Sequence, residues 1–247
     1  MPFLDNYEAT PAGEQLLQEG NDSLIAVVDA FYDATDRAPE SALFDAVYAH
    51  DGYYIGAGRF SHVMRLGDYA IKVSTLTSAA SEERPDVEPF AEDAVWQMHF
   101  LHELREHFAS QPDIGLTTPE QYFAVQGSHG GRLVVQQFMD GWETVGNWAD
   151  RALRFKDDDT YNKAIDTLSD QIKERVERAV AGTALRAELN DLRLDDPEIH
   201  PNNFLVPKGS VFDAASVPLC IIDQPKRYRK LSGELLDPKA LKRMREN

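Results

Sequence analysis

Apolar residues in the first fifty positions recur at helical spacing, and those that follow alternate as strands do. Leu24, Val27, Val28 and Phe31 fall on one face of a helix, with Ser23 as its expected cap. Thr10-Pro11 followed by Glu14 predicts an earlier helix start: a capping hydroxyl, proline at the first position and an acid in the first turn. Phe44, Val47 and Tyr48 suggest a third short helical turn or a strand entry. From Asp51 to Ser74 the texture turns β-prone. Tyr53–Ile55, His62–Leu66 and Tyr69–Val73 are separated by Gly56, Gly58 and the Gly67-Asp68 pair, which predicts a three-stranded antiparallel meander.

Residues 75–89, rich in Ser, Thr, Glu and Pro, read as a loop. A long helix is expected from about Phe90 to Phe108, ended by Gln111-Pro112. Tyr122–Val125 and Arg132–Met139 form a second hairpin across the glycine-rich Gly127–Gly131. Helical segments run from about Glu143 to Leu192, and two short strands, Asn203–Val206 and Leu219–Asp223, flank a polar excursion. The chain shows no internal repeats.

Composition narrows the function classes. A chain of 247 residues, 43% hydrophobic and 27% charged, has material for one large domain or two joined lobes. No apolar run approaches the roughly 18 residues of a membrane span, and the first residues lack the pattern of a secretory signal. The single cysteine, Cys220, lies in an apolar strand and reads as core; it excludes an internal disulfide and a Cys-based zinc cage. A cytoplasmic location is the expectation. The net charge of −17 argues against nucleic-acid binding, which needs a basic field. From Lys226 onward eight basic residues face three acidic ones, so the tail is near +5 and the remainder near −22. Such a tail suits folding back onto the acidic body or recruiting an acidic protein partner.

Chemistry concentrates first in Gly56-Ala57-Gly58-Arg59-Phe60-Ser61-His62-Val63, followed by Ala70-Ile71-Lys72-Val73. Glycines let a hairpin turn approach phosphates closely and expose anion-binding N–H groups. Because this loop lies between two strands, it differs from the dinucleotide fingerprint, which leads from a strand into a helix. It carries no Gly-Lys-Ser/Thr and so matches no Walker loop. The pattern resembles that of the protein-kinase-like superfamily, with Ser61 at the third-glycine position and Phe60 at the loop tip. The resemblance implies a bilobal α+β fold: a small antiparallel N-lobe with one long helix, and a reduced, mainly helical C-lobe. It further implies ATP, with Gly56, Gly58 and Ser61 along the phosphates, Val63 and Ala70 over the adenine, and Lys72 gripping the α- and β-phosphates. Gln137, Phe138 and Met139 would be the hinge whose backbone bonds the adenine edge. A glutamate on the following helix pairs with the lysine in that family; Glu92 is the choice here, with Asp93 and Glu103 as alternatives.

A second motif, Glu198-Ile199-His200-Pro201-Asn202-Asn203-Phe204-Leu205-Val206, resembles the catalytic loop of aminoglycoside-phosphotransferase-like kinases. The resemblance puts Asn203 and, after the next apolar strand, Asp223 on the ligands of Mg²⁺. It puts Glu198 where the family has its catalytic aspartate, with Asp195 and Asp196 nearby. Asp223-Gln224-Pro225 departs from Asp-Phe-Gly, there is no Ala-Pro-Glu, and 24 residues follow Asp223. Of His99, His102 and His107, none forms a helical metal-ligand pair, and a solvated role is expected. The expected organisation is a helical extension over 1–50 packed on the kinase domain, an N-lobe over 51–140 and a minimal C-lobe over 141–247. Three functions fit: a protein Ser/Thr kinase, a small-molecule kinase, and a nucleotide-binding pseudokinase that serves as an interaction module. The tail residues Lys226, Arg227, Arg229 and Lys230 are expected beside the acids around Glu198 or against an acidic substrate.

Overall fold

A computed structural model of the chain describes residues 6–34, 39–57, 61–74, 90–127, 129–154, 156–191, 203–211, 213, 215–223, 227–230 and 232–236. Its strands are β1 (Tyr7–Ala9), β2 (Tyr53–Ala57), β3 (Ser61–Leu66), β4 (Tyr69–Ser74), β5 (Phe90–Glu92), β6 (Leu116–Thr117), β7 (Gln121–Gln126), β8 (Arg132–Gln137), β9 (Trp142–Thr144), β10 (Phe204–Pro207), β11 (Leu219–Ile221) and β12 (Tyr228–Lys230). Its helices are α1 (Pro11–Glu19), α2 (Asp22–Tyr32), α3 (Pro39–Ala49), α4 (Ala94–Ala109), α5 (Val145–Leu153), α6 (Asp158–Val180) and α7 (Ala184–Asp191). The fold is α+β. It divides into two compact units: Met1–Phe100 with Glu120–Phe138 and Lys226–Asn247, and Leu101–Pro119 with Met139–Pro225. The described residues of the tail therefore group with the first unit, whereas the sequence assigned them to the second lobe.

The first unit is built on a six-stranded sheet in the order β1-β7-β8-β4-β3-β2, antiparallel throughout. Period-two alternation sends Met64, Leu66, Ile71, Val73, Phe123, Val125, Leu133 and Val135 to one face. There they share a buried cluster with Leu24, Val27, Val28 and Phe31 of α2 and Leu43 and Val47 of α3. Full burial of each such side chain is worth about 1.5–3 kcal/mol, so the N-terminal helices are integral to this unit. The opposite face packs Ala124 and Val134 against Ala94 and Met98 of α4.

Local signals explain where these helices start. Thr10 caps α1, its Oγ1 accepting from Gly13 N at 3.2 Å, as the Thr-Pro start predicts. Gly13 is required by close approach, since a Cβ there would lie 1.9 Å from the Tyr122 carbonyl oxygen of β7. Asn21, and not Ser23, caps α2: its side-chain oxygen accepts from Leu24 N at 3.0 Å. Gly20, at a φ of 73°, ends α1 and forces the new helix to begin at once, leaving Ser23 inside the first turn. The helix expected from Phe90 begins only at Ala94, because Phe90–Glu92 is drawn into an antiparallel ladder with Tyr228–Lys230.

The second unit holds a four-stranded sheet, β6-β11-β10-β9, in which β11 and β6 run parallel. Glu143, expected in a helix, lies in β9 opposite Val206. Arg175 of α6 is buried and donates to the carbonyls of Val217 at 2.8 Å, Ile114 at 2.7 Å and Gly115 at 3.2 Å. It satisfies backbone oxygens where the parallel pair begins, and burial lowers the pKa of its guanidinium. His107 is not merely solvated: its Nε2 bonds the Ala179 carbonyl at 2.7 Å. Cys220 is buried in β11, and burial pushes its thiol pKa up.

Candidate functional site

Lys72 occupies the middle of β4, opposite Val63 of β3 and Val134 of β8. Its neighbours Ile71 and Val73 point into the main core, so the lysine faces the other side of the sheet with Ala70, Ser74 and Val63. It is 6% exposed, and an ammonium buried this far needs acceptors. Nζ lies 2.9 Å from Glu92 Oε2 and donates to Gln97 Oε1 at 3.1 Å. Ser74 Oγ donates to the same Glu92 oxygen at 3.1 Å. Glu92, 2% exposed, is thus bonded by two side chains two residues apart on one strand.

The element carrying the glutamate differs from expectation. Glu92 stands on strand β5, two residues before the helix, and α4 contributes Gln97 instead. Sequence reasoning passed over Gln97. Its signal was a polar residue within the first turns of α4 on the stripe that includes the buried Ala94, Met98 and Leu101. Asp93 joins the two elements: its Oδ1 accepts from Trp96 N at 3.3 Å, and its carbonyl accepts from Gln97 N at 3.0 Å. Glu103 is exposed on α4.

The glycine hairpin is formed by β2 and β3; Gly58, Arg59 and Phe60 lie outside the described residues. Gly56 pairs with Val63 and Ala57 with His62, after a register shift at Ile55. A Cβ on Gly56 would meet nothing within 4 Å, so packing inside the protein does not demand a glycine there. Ser61 is the buried first residue of β3, opposite Ser74. Of the expected hinge, Gln137 N donates to Glu120 O and Phe138 N to Asp68 O, each at 2.8 Å. Those two N–H groups are therefore committed within the sheet. The Phe138 ring carries the Arg65 guanidinium 3.9 Å above it, and Arg65 also donates to Tyr53 Oη at 3.1 Å. Met139 accepts at its carbonyl from Trp142 N at 3.3 Å.

In the second unit, Asn203 immediately precedes β10, and Asp223 stands two residues beyond β11. Ile222 N donates to the Asn203 carbonyl at 3.0 Å, which extends the ladder and brings the two strand ends side by side. Both side chains are half-buried. Glu198, Asp195, Asp196 and His200 lie outside the described residues. Among the described residues, no group of three or more His, Cys, Asp or Glu side chains is placed to hold a metal ion.

The described tail residues have partners at the start of α4 and within the tail itself, while the acids around Glu198 lie outside the described residues. Arg229 Nε pairs with Asp93 Oδ2 at 2.5 Å, Lys230 Nζ with Glu234 Oε2 at 2.5 Å, and the Arg227 guanidinium lies 4.0 Å over the Trp96 ring. The reason is the β12–β5 ladder, which lays this segment along the start of α4. Lys226 lies outside the described residues.

No family model matches the chain, and no curated protein matches it in sequence. Solved structures do align with it, among them the two that follow. One is "WaaP in complex with acyl carrier protein", 16% identical, covering 88% of this chain and 74% of that one with a TM-score of 0.38. The other is "Crystal structure of BubR1 kinase domain", 16% identical, covering 75% of this chain and 46% of that one with a TM-score of 0.37. Among the described residues, no helix is long and apolar enough to cross a membrane.

Proposed function

We propose that the chain is an ATP-dependent phosphotransferase of the protein-kinase-like type, acting on Ser or Thr hydroxyls of a protein substrate. The observation that carries this reading is the buried Lys72–Glu92 pair, 2.9 Å apart, with its lysine on the strand that continues the glycine hairpin. A structural pair of this kind contributes little net stability, because desolvation offsets much of the attraction. A pre-set ammonium facing away from the main core has an evident use as a phosphate ligand. In this reading Glu92 and Gln97 hold Lys72, which meets the α- and β-phosphates. Val63 and Ala70 lie over the adenine. Gly56, free of any packing demand, lets the backbone approach the phosphates together with Gly58 and Ser61. With two N–H groups committed, the Gln137–Met139 segment offers carbonyl oxygens, each able to accept a second bond, to the exocyclic amine of the base.

Asn203 and Asp223 fit Mg²⁺ as ligands: one amide oxygen and one carboxylate, both hard donors, stand at adjoining strand ends. The ion supplies neutralisation of phosphate charge when it is bound. Glu198 is assigned the role of accepting the proton of the substrate hydroxyl. The Phe60-Ser61 sequence after the two glycines favours a protein substrate over a small molecule. Titration calorimetry with MgATP tests the reading. The wild-type chain is expected to bind, and Lys72→Met to lose binding and labelled-phosphate transfer onto protein. Equal MgATP affinity in the two proteins overturns it.

A further inference from the structure

Glu92 and Gln97, which hold Lys72, belong to different elements, and the tail contacts both. Strand β12 pairs residue for residue with β5, Tyr228 opposite Glu92 and Lys230 opposite Phe90. Asp93, at the junction of β5 and α4, is 5% exposed at its side chain and receives Arg229 Nε at 2.5 Å. Its backbone N–H donates to the Arg227 carbonyl at 2.7 Å. Arg229 is itself held from behind: its Nη1 donates to the Gly233 carbonyl at 2.8 Å, within a turn where Gly233 N bonds the Lys230 carbonyl and Lys230 N bonds the Glu234 carbonyl. Gly233 permits that turn with a φ of 87°. In the first turn of α4, the Arg227 guanidinium lies over Trp96, which stacks on Phe100.

We propose that Arg229 is a positioning residue for Lys72. By neutralising and orienting the buried Asp93 carboxylate it fixes the β5–α4 junction, and with it both Glu92 and Gln97. Without the Asp93–Arg229 pair the junction loses the charged bond that ties it to β12, and Glu92 and Gln97, on either side of it, lose their fixed placement; Arg132, the other cation near Asp93, makes no hydrogen bond to it. The β12 segment then acts as a clasp that sets the ammonium, so that a tail released from β5 leaves Lys72 without its fixed geometry. The functional consequence rests on the nucleotide reading proposed above; the structural linkage does not.

The test reads Lys72 directly. Competitive acylation of the full chain at fixed pH, followed by peptide mass spectrometry, gives the reactivity of Lys72 against that of the exposed Lys163 on α6. Arg229→Gln is expected to raise the Lys72 rate about tenfold, in the range of couplings between contacting residues, while Lys163 is unchanged and Arg229→Lys restores most of the protection. Asp93→Asn, which keeps a capping oxygen for Trp96 N but removes the charge that Arg229 meets, is expected to do the same. It keeps the question answerable if Arg229→Gln folds poorly. Wild-type Lys72 reactivity in both folded variants overturns the proposal. Calorimetry with MgATP is run alongside and is expected to show about tenfold weaker binding in the same variants. Raised Lys72 reactivity in a chain whose wild type binds no MgATP supports the clasp while refuting the nucleotide reading, so the two failures are distinct.

Discussion

Replacing Glu92 by glutamine removes one charge and almost no volume, which isolates the electrostatic part of the Lys72 site. The oxygen that accepts from Lys72 at 2.9 Å and from Ser74 at 3.1 Å keeps an amide counterpart, so both bonds can persist. What is lost is the attraction, about 6 kcal/mol for unit charges at that separation and an effective dielectric near 20. The buried carboxylate's desolvation penalty vanishes with it, and breaking one partner of a buried pair costs about 3–5 kcal/mol. Because the bonding oxygen survives, the low end applies, about 3 kcal/mol, read as a fall of about 6–12 °C in the unfolding midpoint of a chain this long. The paired variant Lys72→Met with Glu92→Leu removes both charges and both penalties, and is expected within about 1 kcal/mol of wild type. Stability and function thereby separate. The paired variant regains the midpoint, yet neither variant binds MgATP as wild type does, since one holds the ammonium loosely and the other lacks it. Thermal unfolding with calorimetry on the three proteins decides the matter. A Glu92→Gln protein with the wild-type midpoint and wild-type MgATP affinity refutes the reasoning at both steps.

Arg175→Met removes donors to three backbone carbonyls and is expected to destabilise the second unit by about 3 kcal/mol, seen in urea unfolding followed by Trp148 fluorescence. Burial, and then the nearby Asp33 carboxylate, raise the pKa of Asp29 above its ordinary 3.8, so the fold opposes its ionisation. Stability therefore falls as pH rises from the unfolded value through the raised one. Asp29→Asn should be more stable than wild type at pH 7 and no more stable below about pH 3.8, as paired denaturation curves would show. Asp223→Asn is expected to weaken the Mg²⁺ dependence of ATP binding more than Asn203→Asp does, because only the first removes a charged oxygen from the ion. Metal titrations at constant ATP test that order.

Much of the first unit was legible because its signals are local and periodic. The Thr10 cap, the apolar face of α2 and the β2–β3–β4 meander follow from residues within a few positions of one another. Lys72 was legible for the same reason, as a polar residue set in an apolar strand after a glycine hairpin. The errors arise where distant segments decide. Phe90–Glu92 carries no strand pattern of its own; Tyr228–Lys230, more than a hundred residues later, makes it a strand. The short strands β1, β6 and β9 likewise owe their existence to partners elsewhere in the chain. Arg175 had no sequence signal at all, since its three acceptors are carbonyl oxygens, which every residue carries. For the basic tail, net charge says that a segment seeks acids without saying which ones, and Asp93 is one that no local signal pointed to.

Placing the glutamate on a strand changes what controls the lysine. In the family that the glycine loop resembles, the glutamate rides on the following helix, so moving that helix makes or breaks the pair. Here the helix supplies the neutral acceptor, Gln97, and a ladder strand supplies the charged one. A shift of α4 alone would cost Lys72 a charge-assisted bond of about 1.5–3 kcal/mol, whereas a shift of β5 would cost it the counter-ion, about 3–5 kcal/mol. The larger lever therefore belongs to β5, and β5 is paired only three residues deep with β12. So short a ladder has little stability by itself. The Asp93–Arg229 pair and the Arg227–Trp96 stack are then what holds the ribbon in register. The electrostatics of Lys72 thus depend on residues at the far end of the sequence, and it is there, not on the helix, that control over this site would act.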